Sequence, residues 1–420
     1  FLNQKGIDVR EGKKLIQDFI QHLPKARMGM EPYPLSLRSI NWIRFLSCNG
    51  INDVDIDAVL YAQLNLLIHK LEYHLLGNHL LENGFALLFG AYYFNDPVFY
   101  KKAKAILIPE LQEQVLGDGG HFERSPMYHC IMLYRVLDCY NLVRNNTLFG
   151  RELEDILKER AEVMLGWLEE VVYSDGRIPL LNDAAVGIAP TAKELIEYSQ
   201  RLGIFCDKKV RLKESGYRKV QWGKFELFVD VGEVGPDYQP GHAHADTFSF
   251  ELYINGRPVI VDTGTSTYEV NNTRFYERST AAHNTVVVCG QNSSQVWAGH
   301  RVARRVRVKV LCDEEERVTA VHDGYKRLGC LHTRKVERMK EHLRIVDEID
   351  CEGMAYLHFM PKEDIVLDGN RLIGSDYCIE FKGVREIEPF TSMYAPEFNK
   401  REERRSFRIS FDRRLETIIQ

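Results

Sequence analysis

The sequence lacks the long apolar runs and the excess of positive charge that mark two large classes of protein. Its 420 residues contain no stretch of about 18 uncharged apolar residues, so no membrane span is expected. A formal net charge of −5 argues against a nucleic-acid-binding protein, which would normally present a dominant basic surface. Internal repeats and low-complexity tracts are also missing. What remains is the composition of a globular chain.

The cysteines follow no recognisable pattern. Nine of them are scattered through the chain, without a CxxC pair or a regular spacing. Such a set indicates free thiols rather than a disulfide framework and disfavours zinc bound through thiolates. It favours the cytoplasm. The chain begins at Phe1 and shows no signal-like apolar run, so a periplasmic location would require that a signal segment had been removed.

The chain is too long for one core, and its periodicity predicts two domains. In the first half, apolar residues recur at helical spacing and short Gly-, Asn-, Asp- or Pro-containing turns separate the runs. This pattern is typical of antiparallel helical hairpins, arranged as a bundle or as a ring. We predict a helical domain over 1–205, with helices that include Pro97–Val115, Pro126–Leu142, Leu153–Val172 and Ala192–Leu202.

The second half changes to alternating and β-branched patterns. We predict a linker at 206–216 and an antiparallel β-sandwich over 217–420. Asn255-Gly256 is a strong signal for a two-residue hairpin turn. The predicted strands include Phe225–Val231, Phe248–Ile254, Val259–Val261, Val302–Val310, Leu343–Ile349, Tyr377–Phe381 and Phe407–Phe411.

The first segment suited to chemistry is Gly77–Gly84, at the start of a predicted helix. Asn78 and His79 precede Glu82 by three to four residues and share its side of the helix. Glu82 is therefore expected to hold one imidazole nitrogen of His79. Polar residues that merely cap the helix are the alternative.

The second segment surrounds Tyr128. Ser125 fits a helix N-cap and Pro126 the first helical position, which places Tyr128 in the first turn beside the positive helix end. Together with the cations of Arg124 and His129, this position is expected to favour the phenolate. A half-buried tyrosine that bonds to the backbone is the alternative.

The third segment is the alternating run from Gly241 to Asp246. On a strand, His242, His244 and Asp246 would share one face. Asp262 and His283 follow downstream, and histidine with carboxylate ligands is suitable for zinc. Three interpretations stay open here: a zinc site, a cupin-like HxH site and a polar cluster between sheets.

A loop over Asn271–Ser279 contributes Arg274 and Arg278, which are suited to bind a substrate carboxylate through paired hydrogen bonds. Ordinary solvated charges are the alternative for both arginines.

Taken together, these segments resemble the heparinase II/III family of polysaccharide lyases. The combination of four parts is specific, although no single part is. The residues that carry the resemblance are Asn78-His79-Leu80-Leu81-Glu82-Asn83, Ser125-Pro126-Met127-Tyr128-His129, Gly241-His242-Ala243-His244-Ala245-Asp246, and Asp262 with Ala282-His283-Asn284.

The resemblance implies a helical (α/α) toroid followed by an antiparallel β-sandwich, and the cleavage of anionic uronate-containing polysaccharide by β-elimination, which leaves 4,5-unsaturated ends. Asn78 would bind the uronate carboxylate with His79 nearby, and Tyr128 and His242 would be the proton-transfer pair. A structural zinc would be held by His244, Asp262 and His283, and no organic cofactor is implied. The expected substrate-binding residues are Glu82, Arg124, His129, Arg274 and Arg278.

Two other functions stay open at the level of sequence. One is a non-catalytic protein that binds carbohydrate or assembles polysaccharide on the same fold, and the other is a cupin-like metal enzyme with a helical appendage. Family members usually carry more helical sequence upstream, so an incomplete toroid is expected.

Overall fold

A computed structural model describes residues 2–4, 6–25, 28–207 and 209–420. The chain forms two compact units. Unit 1 comprises the residues up to 115 with 132–162 and 201–204, and unit 2 comprises 116–131, 163–200 and 205–420. The boundaries predicted from the sequence stay a prediction, and residue 208 of the predicted linker lies outside the described residues.

The helices begin and end close to where the sequence predicts them. Leu153–Val172 was expected and Glu152–Val171 is observed, for example. In the described ranges, none of the helices combines the length and apolarity needed to cross a membrane. The longer helices are α1 Val9–His22, α2 Pro32–Cys48, α3 Val54–Ile68, α4 Gly77–Phe94, α5 Pro97–Gln114, α6 Pro126–Arg144, α7 Glu152–Val171 and α8 Ala192–Arg201.

Helix α4 is the central element of unit 1, with nearly every side chain buried. Two glycines allow its neighbours to approach closely. A Cβ atom on Gly84 would lie 2.9 Å from Leu107 of α5, and one on Gly90 would lie 2.4 Å from Leu64 of α3. Close packing therefore fixes α4, and with it the first turn that carries Asn78 and His79.

Unit 2 contains the β-domain. The strands are β1 Tyr217–Trp222, β2 Phe225–Asp230, β3 Phe250–Ile254, β4 Arg257–Ile260, β5 Val286–Val287, β6 Gln295–Trp297, β7 Arg301–Ala303, β8 Val308–Glu314, β9 Arg317–His322, β10 His332–Arg338, β11 Leu343–His358, β12 Val366–Asp368, β13 Arg371–Ile373, β14 Cys378–Glu397 and β15 Lys400–Ile419. A short helix, α9 Asn272–Glu277, lies between β4 and β5.

The strands form two main antiparallel sheets. One runs in the order β1-β2-β3-β4, and the other in the order β12-β13-β14-β15-β11-β10-β9-β8, with β5 paired to β11. Apolar side chains from both sheets form one continuous core, as in a sandwich. Strands β6 and β7 form a separate hairpin. The prediction of a helical region followed by an antiparallel β-domain is confirmed, and Asn255-Gly256 is the turn between β3 and β4.

The cysteines differ from the prediction of free thiols. Cys330 and Cys351 form a disulfide with a Cα–Cα distance of 6.3 Å. His332 pairs with Ile349 in the register of β10 and β11, and two residues further the same register brings Cys330 opposite Cys351. Spacing along the chain could not reveal this pair, because the hairpin register decides it.

Candidate active site

The histidine run of residues 241–246 forms a loop, so the predicted strand is wrong. Its backbone pairs with other loops instead: Asp183 N–H donates to the His242 carbonyl over 3.0 Å, and Ala245 N–H donates to the Arg278 carbonyl over 3.0 Å. The alternation of histidines with small residues is compatible with a strand and with this loop, so the sequence pattern could not distinguish them.

His242 and His244 nevertheless converge on one carboxylate, that of Asp183. His242 Nδ1 lies 3.0 Å from Asp183 Oδ2, and His244 Nε2 lies 2.8 Å from Asp183 Oδ1. Because a carboxylate accepts hydrogen bonds, the hydrogen of neutral His242 sits on Nδ1 and its Nε2 is left as a proton acceptor. Glu123 Oε2 lies 3.7 Å from that Nε2.

Asp183 is itself held by Arg274. Both terminal nitrogens of Arg274 donate to the two carboxylate oxygens, one of them over 2.8 Å. Burial raises the pKa of Asp183, but the charge of Arg274 and the hydrogen bonds from the two histidines hold that pKa well below its ordinary value. Asp183 is therefore a buried anion at neutral pH, and it fixes His242.

Tyr128 lies directly against His242. The two rings stack with centroids 3.9 Å apart and an interplanar angle of 28°. Ser125 caps α6 as predicted, since the Tyr128 N–H donates to its Oγ over 3.2 Å. The Tyr128 hydroxyl lies 3.2 Å from that of Tyr268. The tyrosine and histidine named from the sequence are thus brought together.

The predicted phenolate is not supported. Burial raises the pKa of Tyr128 above its ordinary value, as do the negative charges of Asp183 and Glu123. These effects outweigh the hydrogen bond between the Tyr128 and Tyr268 hydroxyls and the charge of Arg274, both of which lower that pKa. Of the expected cations, His129 carries no charge. Burial lowers the pKa of His129 to about 3, so this imidazole is neutral. Tyr128 therefore keeps its proton at neutral pH.

The other predicted substrate contacts in unit 2 have partners within the protein. Arg278 is buried and donates to backbone carbonyls, among them Ala243 over 2.9 Å and Ala298 over 3.1 Å. Arg124 donates to the Glu233 carbonyl, and His129 Nε2 lies 3.0 Å from the Met164 carbonyl. The two arginines, like Arg274, hold loops in place, and His129 contacts α7. The structure gives no support to the predicted contact of these side chains with substrate.

The three predicted zinc ligands are all buried. His283 Nδ1 lies 2.8 Å from Asp262 Oδ2, and the rings of His283 and His244 are 5.3 Å apart. Within the described residues, no hydrogen-bond partner faces His244 Nδ1 or His283 Nε2. Two buried imidazole nitrogens of this kind are available to a metal. Asp262, predicted as a third ligand, instead contacts His283, as a carboxylate that orients a ligating histidine would.

Among the described residues, the ligand atoms that converge closely enough to share a metal ion are found at His242. Asp183, His242 and His300 each place one ligand atom within 4.8 Å of the others. This is a different set from the predicted one. A metal there would occupy a nitrogen of His242, whereas a metal at His244 and His283 would leave His242 free.

Asn78, His79 and Glu82 belong to unit 1, in the first two turns of α4. Glu82 does not hold His79, contrary to prediction: it pairs with Arg135 at 2.9 Å, while His79 Nδ1 lies 3.0 Å from Glu72 Oε1. The predicted helix is present, but the partner of His79 comes from the loop before α4 rather than from α4 itself. The assignment of Asn78 and His79 to the uronate carboxylate stays a prediction.

Sequence reasoning missed Asp183, Tyr268 and His300. Asp183 stands in the short segment Leu181-Asn182-Asp183-Ala184, which carries no motif. A carboxylate between small and apolar residues was the one available signal, because burial of such a group requires a partner. The contacts that reveal its role join residues 59 to 91 positions apart.

Two family models match this chain. Residues 35–211 match the heparinase II/III N-terminus, and residues 208–420 match the heparinase II/III-like C-terminal region. The second match covers just over half of the chain. The family named from four short motifs is therefore confirmed.

The curated relatives are longer than this chain and have low sequence identity to it. The chain is 26% identical over 339 residues to a heparin-sulfate lyase of Bacteroides stercoris, covering 71% of this chain and 48% of that protein. It is 26% identical over 276 residues to FtsZ-localized protein C of Caulobacter vibrioides, covering 60% and 45%. The chain thus spans about half the length of the curated relatives it matches.

Solved structures show the same fold. A crystal structure of heparinase III superposes with a TM-score of 0.76 at 20% identity, covering 97% of this chain and 72% of that one. The likeness confirms the predicted fold class, a helical (α/α) toroid-type region followed by a β-sandwich. On the matched models and this architecture, the chain belongs to the heparinase II/III family.

Proposed function

We propose that the protein cleaves uronate-containing polysaccharide by β-elimination. The observation that carries the proposal is the stack of Tyr128 on His242, with His242 fixed by the buried Asp183 anion. This pair places a proton acceptor and a proton donor close enough together to act on the same sugar ring. Heparin or heparan sulfate leads the panel of polymers to test, because several relatives are named heparin-sulfate lyases.

His242 is the proposed base. Its Nε2 takes the proton from C5 of the uronate, and the electrons of the C5–H bond form the C4–C5 double bond as the C4–O bond breaks. A base positioned in this way contributes about 10² to 10⁴ in rate. Asp183 acts through His242: it holds the ring and balances the positive charge that the imidazole gains.

Tyr128 is the proposed acid. A raised pKa means that the hydroxyl still carries its proton when the C4–O bond begins to break. That proton passes to the departing glycosidic oxygen. The tyrosinate and the imidazolium then lie in adjacent rings, so a proton returning from His242 to Tyr128 restores both groups.

Zinc is proposed as a structural ion. His244 Nδ1 and His283 Nε2 would bind it, with the Asp262 carboxylate in support. Bound zinc would cross-link the loop that carries His242 and His244 to the segment that carries His283. None of the proton transfers above depends on it.

The test is digestion of a panel of uronate polymers, followed through the ultraviolet absorbance of the unsaturated product. We expect cleavage by the native protein and a loss of kcat of about 10² or more in Tyr128→Phe, with ligand affinity nearly unchanged. Tyr73→Phe, at an exposed tyrosine, is the matched control. Binding of a polymer without any unsaturated product would instead favour the non-catalytic carbohydrate-binding alternative.

A further inference from the structure

Unit 2 contains a second cavity that the catalytic groups do not line. Its volume is about 730 Å³. The walls come from residues 291–296, from the Arg304–Arg305 pair and from the turn 323–328. A space of this size accommodates a small organic ligand.

The cavity is strongly positive. Arg304, Lys326 and Arg327 are exposed at its wall, and in the described part of the chain no acidic side chain pairs with any of them. The acid of this cavity, Asp323, already accepts the N–H of Arg307 over 2.7 Å. Cations that lack partners inside the protein are available to an anionic ligand.

The rest of the wall includes polar, uncharged side chains. Gln291 and Gln295 are exposed there, and each carries amide groups that both donate and accept hydrogen bonds. The Tyr325 hydroxyl donates to the Val286 carbonyl over 2.7 Å, so that ring is a fixed part of the wall. Amides suited to hydroxyl groups, beside cations suited to sulfate or carboxylate, match the surface of an acidic sugar.

The hairpin of β6 and β7 connects this cavity to the candidate active site. At its turn, the Gly299 carbonyl accepts hydrogen bonds from Arg274 over 2.9 and 3.0 Å, and the His300 ring lies 6.0 Å from that of His242. At its base, Gln295 and Arg304 line the cavity. Three residues of strand span roughly 10 Å, a length that a few sugar rings can cover.

We infer that the cavity is an anion-binding subsite for the same polysaccharide, occupied by a sulfated or carboxylated sugar a few units from the bond that is cleaved. The inference rests on the proposed function for the identity of the ligand. The chemistry of its wall is independent of that function.

The test uses the double variant Lys326→Glu/Arg327→Glu. Its control is Lys340→Glu/Arg371→Glu, which makes the same change in charge at two exposed positions elsewhere on the β-domain. Binding is measured by calorimetry in the Tyr128→Phe background, with heparan sulfate oligosaccharides of increasing length. We expect the cavity variant to weaken binding of the long oligosaccharides about tenfold and to leave disaccharide binding unchanged.

The outcomes separate the two proposals. Equal affinity in the cavity variant and its control overturns the subsite and leaves the lyase proposal intact. Selective loss of affinity for long chains supports the subsite even if the native protein shows no turnover, in which case the lyase proposal alone fails. Inorganic sulfate that competes as well as an oligosaccharide, mole for mole, overturns the subsite, because the cavity would then bind a free anion rather than a sugar chain.

Discussion

Asp183 determines which nitrogen of His242 is available for chemistry. It contacts His242, His244 and Arg274 through two carboxylate oxygens while fully buried. A buried carboxylate with that many charged or polar partners stays ionised, and its removal leaves a guanidinium without a counter-ion. One residue thus supports both the orientation of the base and the stability of the loop.

Asp183→Asn is expected to separate these two contributions from substrate binding. We expect kcat to fall about 100-fold or more, because the amide no longer fixes the His242 tautomer, while KM changes little. The free energy of unfolding should fall by about 3 kcal/mol, since Arg274 loses its counter-ion. Steady-state kinetics and urea unfolding measure both quantities, with Asp368→Asn, at an exposed position of β12, as control. Retained kcat would exclude the positioning role.

Burial of His129 makes an acid-sensitive contribution to stability. The folded protein keeps this imidazole neutral down to a pKa of about 3, whereas the unfolded chain takes up a proton below about pH 6.5. The stabilisation is therefore complete above pH 6.5 and is lost as the pH falls towards 3, at about 1.4 kcal/mol per pH unit.

The corresponding variant is His129→Gln, whose amide can both donate to Met164 and accept from the backbone, as the imidazole does. Between pH 6.5 and 5, its free energy of unfolding should depend less steeply on pH than that of the native protein, by roughly 1.4 kcal/mol per unit. Urea titrations at several pH values measure the slopes, and the exposed His69→Gln is the control. Identical slopes in all three proteins would contradict the neutral buried histidine.

At the level of elements, local sequence signals determine where a helix begins, but they do not determine the conformation of the loops. Asp96 and Pro97 fix the start of α5 within one residue, because a cap side chain and a proline act on their own neighbours. The predicted strand Val302–Val310 is broken, and Arg304 in the break has a positive φ of 47°. Loop 241–246 and its partner Asp183 could not be predicted, because their geometry depends on contacts far apart in the chain.

The proposed zinc would join the segments of His244 and His283, and removal of single ligands distinguishes it from the alternative triad. We expect about one zinc per chain, lost in His283→Ala and in His244→Ala and retained in His300→Ala. Chelation should lower the melting temperature, since two buried imidazole nitrogens would lose their partner. Elemental analysis of the purified variants measures the metal. Loss of zinc in His300→Ala alone would place it at Asp183, His242 and His300 instead.

At the scale of the whole molecule, a chain of net charge −5 is proposed to bind a polyanion. Overall charge opposes that association, so the attraction has to come from local groups, namely the cations of the second cavity. Charges on a surface act over about 10 Å at 0.1 M salt and about 3 Å at 1 M. Local attraction is therefore more sensitive to salt than contacts with buried partners.

Salt dependence consequently measures how much of the affinity those cations provide. In the Tyr128→Phe background, Kd for heparan sulfate should rise roughly tenfold between about 0.1 M and 1 M salt, because screening removes the attraction of Arg304, Lys326 and Arg327. The Lys326→Glu/Arg327→Glu variant should show a shallower rise, because two of the three positive charges are replaced by negative ones and little attraction is left for salt to screen. A slope that is the same in both proteins would mean that other cations attract the chain, and Kd independent of salt would exclude recognition by exposed charge altogether.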